Sequence, residues 1–186
     1  QRGRETLQAA GIDPGRPLIA MGVNSLGHYK RWPIDCFAEV ARWLIEQHHA
    51  QILIYCGPGE EEYNRSLKPL LPTALQASVF DHIQTRSVRE LAGIFAHCQL
   101  FVGNDTGPRH MAQALDIPLL TIVSPLGHSA IANPVSHSRY RFIDTSHQDP
   151  EQEVLAVQRQ LSMLWDEVAS PHGKPEASAS NPMSVG

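Results

Sequence analysis

The chain has 186 residues, 42% of them hydrophobic and 18% charged, a composition typical of a globular protein with one core of ordinary domain size. Fifteen basic and nineteen acidic side chains give a formal net charge of −4, and no dense basic run indicates a nucleic-acid partner. No segment approaches the roughly 20 apolar residues that a membrane-spanning helix needs. These features argue against a nucleic-acid-binding or membrane-spanning protein.

Three cysteines, Cys36, Cys56 and Cys98, lie far apart in apolar runs. An odd number at these spacings favours free, buried thiols in a reducing compartment over a disulfide or a metal site. The chain begins at Gln1 without a methionine or a signal peptide. We therefore expect an excised or processed piece of a longer protein.

Apolar runs alternate with amphipathic stretches along most of the chain. Residues 1–17 are predicted to be a connector with a short helix, residues 18–166 one domain, and the Pro-, Ser- and Ala-rich residues 167–186 a disordered tail. Strands are predicted at 18–23, 51–56, 77–80, 100–102, 117–123 and 140–143. Helices are predicted from Pro33, from the acids at 60–62, from Ser87, near Thr106 and over 150–166.

This alternation predicts an α/β fold, a Rossmann-like parallel sheet with helices on both faces. Ligands of such sheets bind beyond the carboxyl ends of the strands, near a topological switch point. Glycine-bearing turns follow the predicted strands at 24–30, 57–60, 103–107 and 124–127. We expect these turns to lie along one rim of the sheet.

The polar turn "NDTGPRH", residues 104–110, follows one of these strands and opens a helix. If the helix begins near Thr106, its free N–H groups and positive dipole end suit a phosphate. Gly107 would let a ligand approach the main chain, and His110 would lean back toward the same anion. The alternative, equally supported by spacing alone, makes Asp105 or Thr106 a helix cap and His110 a surface residue.

Three further turns carry polar residues. In "NSLGHYKRWP", Ser25 could donate a hydroxyl hydrogen bond and Lys30 could contact a diphosphate. Taken alone, however, this turn is better interpreted as solvated loop charges followed by Trp32, which anchors the helix entry in the core. In "GPGEEE", an acid after the glycine turn could bind ribose, although compensation of the helix dipole by Glu60, Glu61 and Glu62 is favoured. The turn at 124–130 could wrap a phosphate or be a plain loop.

Several functional classes lack their motifs. The ten histidines form no HxH, HExxH or Cys/His ligand spacing, so no metal site is expected. The glycines fit neither GxGxxG nor the P-loop, which argues against a dinucleotide oxidoreductase or an NTPase. No GxSxG nucleophile elbow is present.

Taken in order, "KRWP", "GPGEE", "VGNDTGPRHMAQAL" and a Ser-Pro turn resemble the C-terminal half of the heptosyltransferases, the glycosyltransferase family 9 enzymes of lipopolysaccharide inner-core synthesis. The resemblance covers roughly residues 5–165. "DTGxxHxA" together with "KxWP" is far more specific to that family than either string alone.

The resemblance implies the C-terminal half of a GT-B fold, which binds a nucleotide-sugar donor, ADP-heptose, and needs no cofactor and no metal. It assigns Lys30 and Ser25 to the diphosphate, Glu60 or Glu61 to the nucleoside, Asp105 to the sugar, and Thr106, Gly107 and His110 to the phosphates. The transfer would be inverting. The catalytic base would lie in an N-terminal domain, absent from this chain, that binds a lipid-linked saccharide acceptor. The chain alone would then bind donor weakly and be inactive, in the cytoplasm or at the inner face of the bacterial inner membrane.

Two positions depart from the family pattern. Leu126 stands where a threonine is common, and it cannot donate a hydroxyl hydrogen bond to a phosphate. Leu26 follows Ser25 where a second hydroxyl residue is expected. Two other functions stay open at this point: a GT-B-like sugar-nucleotide epimerase domain, and a degenerate, non-catalytic nucleotide-binding module.

Overall fold

The computed structural model describes residues 2–25, 27–55, 61–123, 139–145 and 149–169. The strands are β1 (Leu18–Gly22), β2 (Gln51–Ile54), β3 (Val79–Phe80), β4 (Leu100–Asn104), β5 (Leu119–Val123) and β6 (Tyr140–Asp144). The helices are α1 (Arg2–Ala9), α2 (Ile34–His48), α3 (Glu61–Arg65), α4 (Val88–Phe95), α5 (Gly107–Ala114) and α6 (Pro150–Ala169). Short 3₁₀ helices lie at His28–Lys30, Lys68–Leu70 and Thr73–Ser78.

The six strands form one parallel sheet in the order β3-β2-β1-β4-β5-β6. Residues of β1, β2, β4 and β5 are buried along their whole length, because helices cover both faces of the sheet. One core cluster lies between the sheet and helices α2 and α6, and a second contains residues of α1, α4 and α5. The predicted Rossmann-like α/β fold is confirmed.

Most predicted strands differ from the observed ones by one or two residues at an end, and two of these differences have a clear local reason. The run predicted as a strand over 117–123 begins pairing at Leu119, because the N–H of Ile117 instead bonds the Ala112 carbonyl and ends helix α5. β3 is only two residues long, because the chain before it is coiled into the 3₁₀ helix Thr73–Ser78. The predicted cap at Ser87 is confirmed: its side chain accepts a 3.2 Å hydrogen bond from the Glu90 N–H. The Glu90 carboxylate accepts a 2.7 Å bond from the Arg86 N–H rather than from Ser87, so the capping box is only half formed.

The helix predicted within residues 1–17 is present as α1, which packs against α4. Leu7 on this helix and Ile12 after it are buried in the core on that face of the sheet. The predicted free thiols at Cys36 and Cys98 are confirmed as buried and unbridged, whereas Cys56 and residues 170–186 lie outside the described part of the chain. None of the described helices combines the length and apolar character needed to cross a membrane.

The sheet reverses its strand order between β1 and β4, which makes their carboxyl ends the topological switch point. Gly22 lies opposite Gly103 at this point. A Cβ on Gly103 would lie 2.6 Å from the Gly22 carbonyl oxygen, so the two strands can approach this closely only because a glycine stands there. The turns after β1 and β4 therefore lie on one rim, as predicted, while turns 57–60 and 124–127 lie outside the described residues.

The edge strand β3 is held by two long cationic side chains. The Lys68 ammonium donates a 3.0 Å hydrogen bond to the carbonyl of Val79 within the strand. The Arg16 guanidinium donates to the Ser78 hydroxyl just before it, also at 3.0 Å. This short edge is therefore bonded to side chains from elsewhere in the fold.

Candidate functional site at the β1–β4 rim

Asn104, the last residue of β4, joins the two sides of the switch point. Its side chain is fully buried; Oδ1 accepts a 3.0 Å hydrogen bond from the Trp32 N–H, and Nδ2 donates one of 2.9 Å to the Val23 carbonyl. The buried Trp32 indole in turn donates to Glu153 on α6 at 2.8 Å. Both ends of the loop after β1 are therefore fixed to β4. From sequence, Asn104 is predicted only to be a turn residue, and no signal in the chain indicates this role.

Helix α5 begins at the rim without a side-chain cap. Thr106 occupies the N-cap position in an extended conformation (φ −145°, ψ 175°), but its side chain makes no capping hydrogen bond, and its hydroxyl donates instead to the Asn104 carbonyl at 3.4 Å. The alternative interpretation is therefore confirmed in the position of Thr106 at the N-cap, but wrong in expecting a side-chain capping hydrogen bond. Pro108 has no N–H and the Arg109 N–H bonds the Thr106 carbonyl, so Thr106 and Gly107 carry the main-chain donors that this turn can offer to an anion.

Gly107 leaves the start of the helix open. A Cβ built on it would have no heavy atom within 4 Å. A substituent at this position would therefore project into space that the described residues leave empty. This is the shape needed for a ligand to approach the helix terminus.

Asp105 is bound by Arg109, which is not among the site residues predicted from the sequence. Oδ1 of Asp105 accepts hydrogen bonds from Nε and Nη2 of Arg109 at 3.1 and 3.0 Å. Arg109 is fully buried; its Nη1 donates to Gln113 at 2.7 Å, and its guanidinium lies 5.6 Å from the centroid of the Phe142 ring. The Asp105 side chain stays 34% exposed. The spacing of four between Asp105, Arg109 and Gln113 was the available signal.

Lys30 ends the 3₁₀ helix in the loop after β1 and is exposed. Its ammonium lies 5.7 Å from the centroid of the Tyr29 ring, and the described residues give it neither a hydrogen bond nor a carboxylate partner. Ser25 is buried, its N–H bonding the Asn24 side chain at 2.8 Å and its carbonyl accepting a 3.0 Å bond from Arg31. Ser25 thus shapes the loop, whereas Lys30 presents a charge.

Arg31 connects this loop to the region after β2. Its guanidinium lies 4.5 Å over the centroid of the Tyr63 ring on α3. Burial raises the pKa of the Tyr63 hydroxyl, and the nearby Arg31 charge partly offsets that rise. Glu61, a half-buried residue, opens the same short helix, and Glu60 lies outside the described residues.

The remaining predicted site residues divide between α5 and a segment that is not described. His110 is exposed on α5, four residues after the N-cap, and its N–H bonds the Thr106 carbonyl at 3.5 Å. Leu126 and the turn at 124–130 lie outside the described residues. Within the described part of the chain, no group of three or more His, Cys, Asp or Glu side chains is arranged to hold a metal ion.

A six-stranded Rossmann-like sheet with an uncapped helix terminus at its switch point defines an α/β protein with a rim suited to an anionic ligand. The sequence profile of glycosyltransferase family 9 (heptosyltransferase) matches residues 1–162, and the chain belongs to this family.

Two curated relatives illustrate how much is shared. The chain is 29% identical to lipopolysaccharide heptosyltransferase 2 of Salmonella typhimurium over 123 residues, which are 66% of this chain and 35% of that protein. It is 28% identical to lipooligosaccharide heptosyltransferase 2 of Haemophilus influenzae over 111 residues, 59% of this chain and 32% of that protein. The matched region thus spans about a third of the length of these relatives.

Solved structures share the fold. The Escherichia coli ADP-heptose lipopolysaccharide heptosyltransferase II superposes with a TM-score of 0.70 at 23% identity, over 89% of this chain and 52% of that one. The E. coli heptosyltransferase WaaC with ADP-2-deoxy-2-fluoro heptose gives a TM-score of 0.60 at 21% identity, over 86% and 47% of the two chains. Both superpositions cover most of this chain and about half of the solved one, which shows that the fold is shared.

Proposed function

We propose that the chain is the donor-binding part, the C-terminal half of a GT-B fold, of an inverting, metal-independent glycosyltransferase of lipopolysaccharide core synthesis, with ADP-heptose as donor. The observation that carries this proposal is the start of α5: an uncapped helix N-terminus with Gly107 open, on the rim next to the loop of the exposed Lys30. Family membership and the solved relative that contains an ADP-heptose analogue support it.

The chemistry follows from the charge of the leaving group. As the bond between the anomeric carbon and the diphosphate oxygen breaks, negative charge grows on the departing nucleoside diphosphate. The main-chain N–H groups of Thr106 and Gly107, the positive end of the α5 dipole and the Lys30 ammonium would stabilise that charge. Such donors supply the stabilisation that a divalent cation gives in other transferases.

The other predicted site residues would bind the rest of the donor. His110 and the Ser25 loop would complete the phosphate site, Glu60 or Glu61 would bind the nucleoside, and Asp105 would accept hydrogen bonds from sugar hydroxyls. In an inverting transfer the acceptor hydroxyl attacks the anomeric carbon on the face opposite the diphosphate, and a base removes its proton. We assign that base, and the site for a lipid-linked saccharide acceptor at the cytoplasmic face of the membrane, to a separate acceptor domain.

Calorimetric titration of the chain with ADP, UDP, GDP and CMP tests the donor assignment. We expect measurable binding of ADP, weaker or no binding of the other three, and loss of ADP affinity in Lys30→Ala. Absence of binding to all four nucleotides would overturn the proposal and favour a non-catalytic module.

A transfer assay tests the division between two domains. The chain alone, incubated with ADP-heptose and a heptose-accepting lipopolysaccharide core, should release no ADP above the rate of spontaneous hydrolysis. Transfer by the chain alone would contradict the assignment of the base to another domain.

A further inference from the structure

The placement of Arg109 is unfavourable on its own. It is the third residue of α5, where the helix dipole disfavours a cation, and its side chain is fully buried, which costs a charge its hydration. Its carboxylate partner, Asp105, offsets both costs, since the two Arg109 nitrogens at 3.1 and 3.0 Å converge on one oxygen. The two side chains therefore form one ion pair. Only Asp105 reaches the rim, so any contact of this pair with a ligand is made by Asp105.

The arginine is itself held from two sides. Gln113, one helical turn further along α5, accepts a 2.7 Å hydrogen bond from Nη1, and the Phe142 ring on β6 lies against the guanidinium. A planar guanidinium held in this way fixes the plane of the carboxylate that it binds. Both hydrogen bonds from Arg109 to Asp105 go to Oδ1, and Oδ2 of Asp105 accepts no hydrogen bond from the described residues.

We propose that Arg109 is a positioning residue that orients Asp105 so that Oδ2 accepts hydrogen bonds from hydroxyls of the donor sugar. This inference rests on the proposed function. Arg109 also neutralises a carboxylate that stands one residue before the helix N-cap and would otherwise repel the donor diphosphate. One buried side chain thereby makes an acidic sugar ligand compatible with an adjacent anion site.

The substitution Arg109→Lys separates these two effects, because lysine keeps the charge but loses the two-pronged, planar contact. The quantity to measure is the ratio of the Kd for ADP to the Kd for ADP-heptose, which reports binding of the sugar alone. We expect Arg109→Lys to lower this ratio by about five- to tenfold, the net value of one ordinary hydrogen bond, with the Kd for ADP changing less than about twofold.

Two further variants show whether Arg109 acts through Asp105. Asp105→Asn should lower the ratio by a similar factor, and the double variant Asp105→Asn with Arg109→Lys should lower it no further. Gln113→Leu, which frees one side of the guanidinium without removing it, should lower the ratio by about twofold and keeps the test available if Arg109→Lys fails to fold.

Arg141→Lys is the matched control. Arg141, near the start of β6, pairs with Glu167 at 2.5 Å and is half-buried, with 18% of its side chain exposed. It lies toward the amino end of its strand, away from the rim, so the same substitution should cost stability without changing the ratio.

Each outcome decides one of the two ideas. If the wild-type chain binds neither ADP nor ADP-heptose, the proposed function fails and this inference fails with it. If ADP binds but Arg109→Lys leaves the ratio unchanged, for example by weakening the binding of both ligands equally, the positioning role is wrong and the donor site stands. The same conclusion follows if the effects of Arg109→Lys and Asp105→Asn on the ratio add in the double variant.

Discussion

The side-chain carbonyl of Asn104 accepts a 3.0 Å hydrogen bond from the main-chain N–H of Trp32, across the switch point of the sheet. The same amide donates to the Val23 carbonyl, so one buried side chain satisfies main-chain groups at both ends of the Lys30 loop. Backbone groups buried without partners are costly, which makes Asn104 a structural determinant of that loop.

We expect Asn104→Ala to lower the free energy of unfolding by about 2–4 kcal/mol, because it leaves a buried N–H and a buried carbonyl without partners. Urea unfolding followed by circular dichroism measures this change. Asn24→Ala is the control, since the Asn24 side chain accepts only a local bond from Ser25 and sits in a half-buried position. A loss from Asn104→Ala no larger than that of the control would contradict the role assigned to Asn104.

Lys30→Ala should weaken ADP binding by about five- to tenfold, since it removes a point charge from the diphosphate site. The melting temperature should not change, because Lys30 is exposed and holds no partner among the described residues. Arg159→Ala, which removes an exposed cation from the middle of α6, should leave ADP binding intact. The Lys30 effect should shrink as salt is added, and equal effects of the two variants would mean that only net charge matters.

Two glycines of the rim should respond in opposite ways to the same added methyl group. Gly103→Ala should cost about 1–3 kcal/mol of unfolding free energy, because its Cβ would lie 2.6 Å from the Gly22 carbonyl oxygen. Gly107→Ala should leave stability unchanged or slightly higher, since its Cβ meets nothing within 4 Å, yet should weaken ADP binding about tenfold by filling the phosphate approach. Unfolding curves and titrations on both variants test this contrast, and unaltered ADP affinity in Gly107→Ala would place the ligand elsewhere.

His48 should make the fold less stable in mild acid. Its ring lies between Trp43 and Trp165, and its Nε2 is buried without a hydrogen-bond partner in the described part of the chain. Burial lowers the pKa of His48 below 6.5; Asp166 opposes this shift and His49 adds to it. The unfolded chain therefore binds this proton first, so the stabilisation is complete above pH 6.5 and is lost as the pH falls toward the folded-state pKa.

We expect His48→Phe, which keeps the aromatic packing, to reduce the fall in melting temperature between pH 7.5 and 5.5. His49→Asn is the control: His49 is exposed and has a positive φ of 52°, which asparagine tolerates. Differential scanning calorimetry across this pH range gives the comparison. Identical pH profiles for wild type and His48→Phe would show that other groups control acid stability.

The sheet and its rim could be predicted because their signals are local. Apolar runs bounded by polar, glycine-bearing turns fix which residues form β1 and β4, and parallel strands place both turns on one side. The start of α5 followed from the same local pattern at Thr106. The family resemblance then supplied roles for these residues that composition and spacing left undecided.

The burial of Arg109 and the bridging role of Asn104 were beyond sequence reasoning, because each depends on residues that are distant in the chain. An arginine in a polar turn is ordinarily exposed, and the burial of Arg109 depends on Phe142 from a later strand. Asn104 is similarly a common turn residue whose structural role needs Trp32 and Val23 beside it. The donor roles of Lys30, Asp105 and their neighbours remain predictions for the titrations above.

The two-residue strand β3 leaves little of its sheet edge open to pairing with another chain. An open sheet edge is a template onto which a foreign strand can add, and aggregation commonly starts there. Here that edge offers only Val79 and Phe80, and the Lys68 ammonium bonds the Val79 carbonyl. Replacing Lys68 by a residue with a short, neutral side chain would leave that acceptor open and make the protein more prone to form sheet-extended aggregates at high concentration.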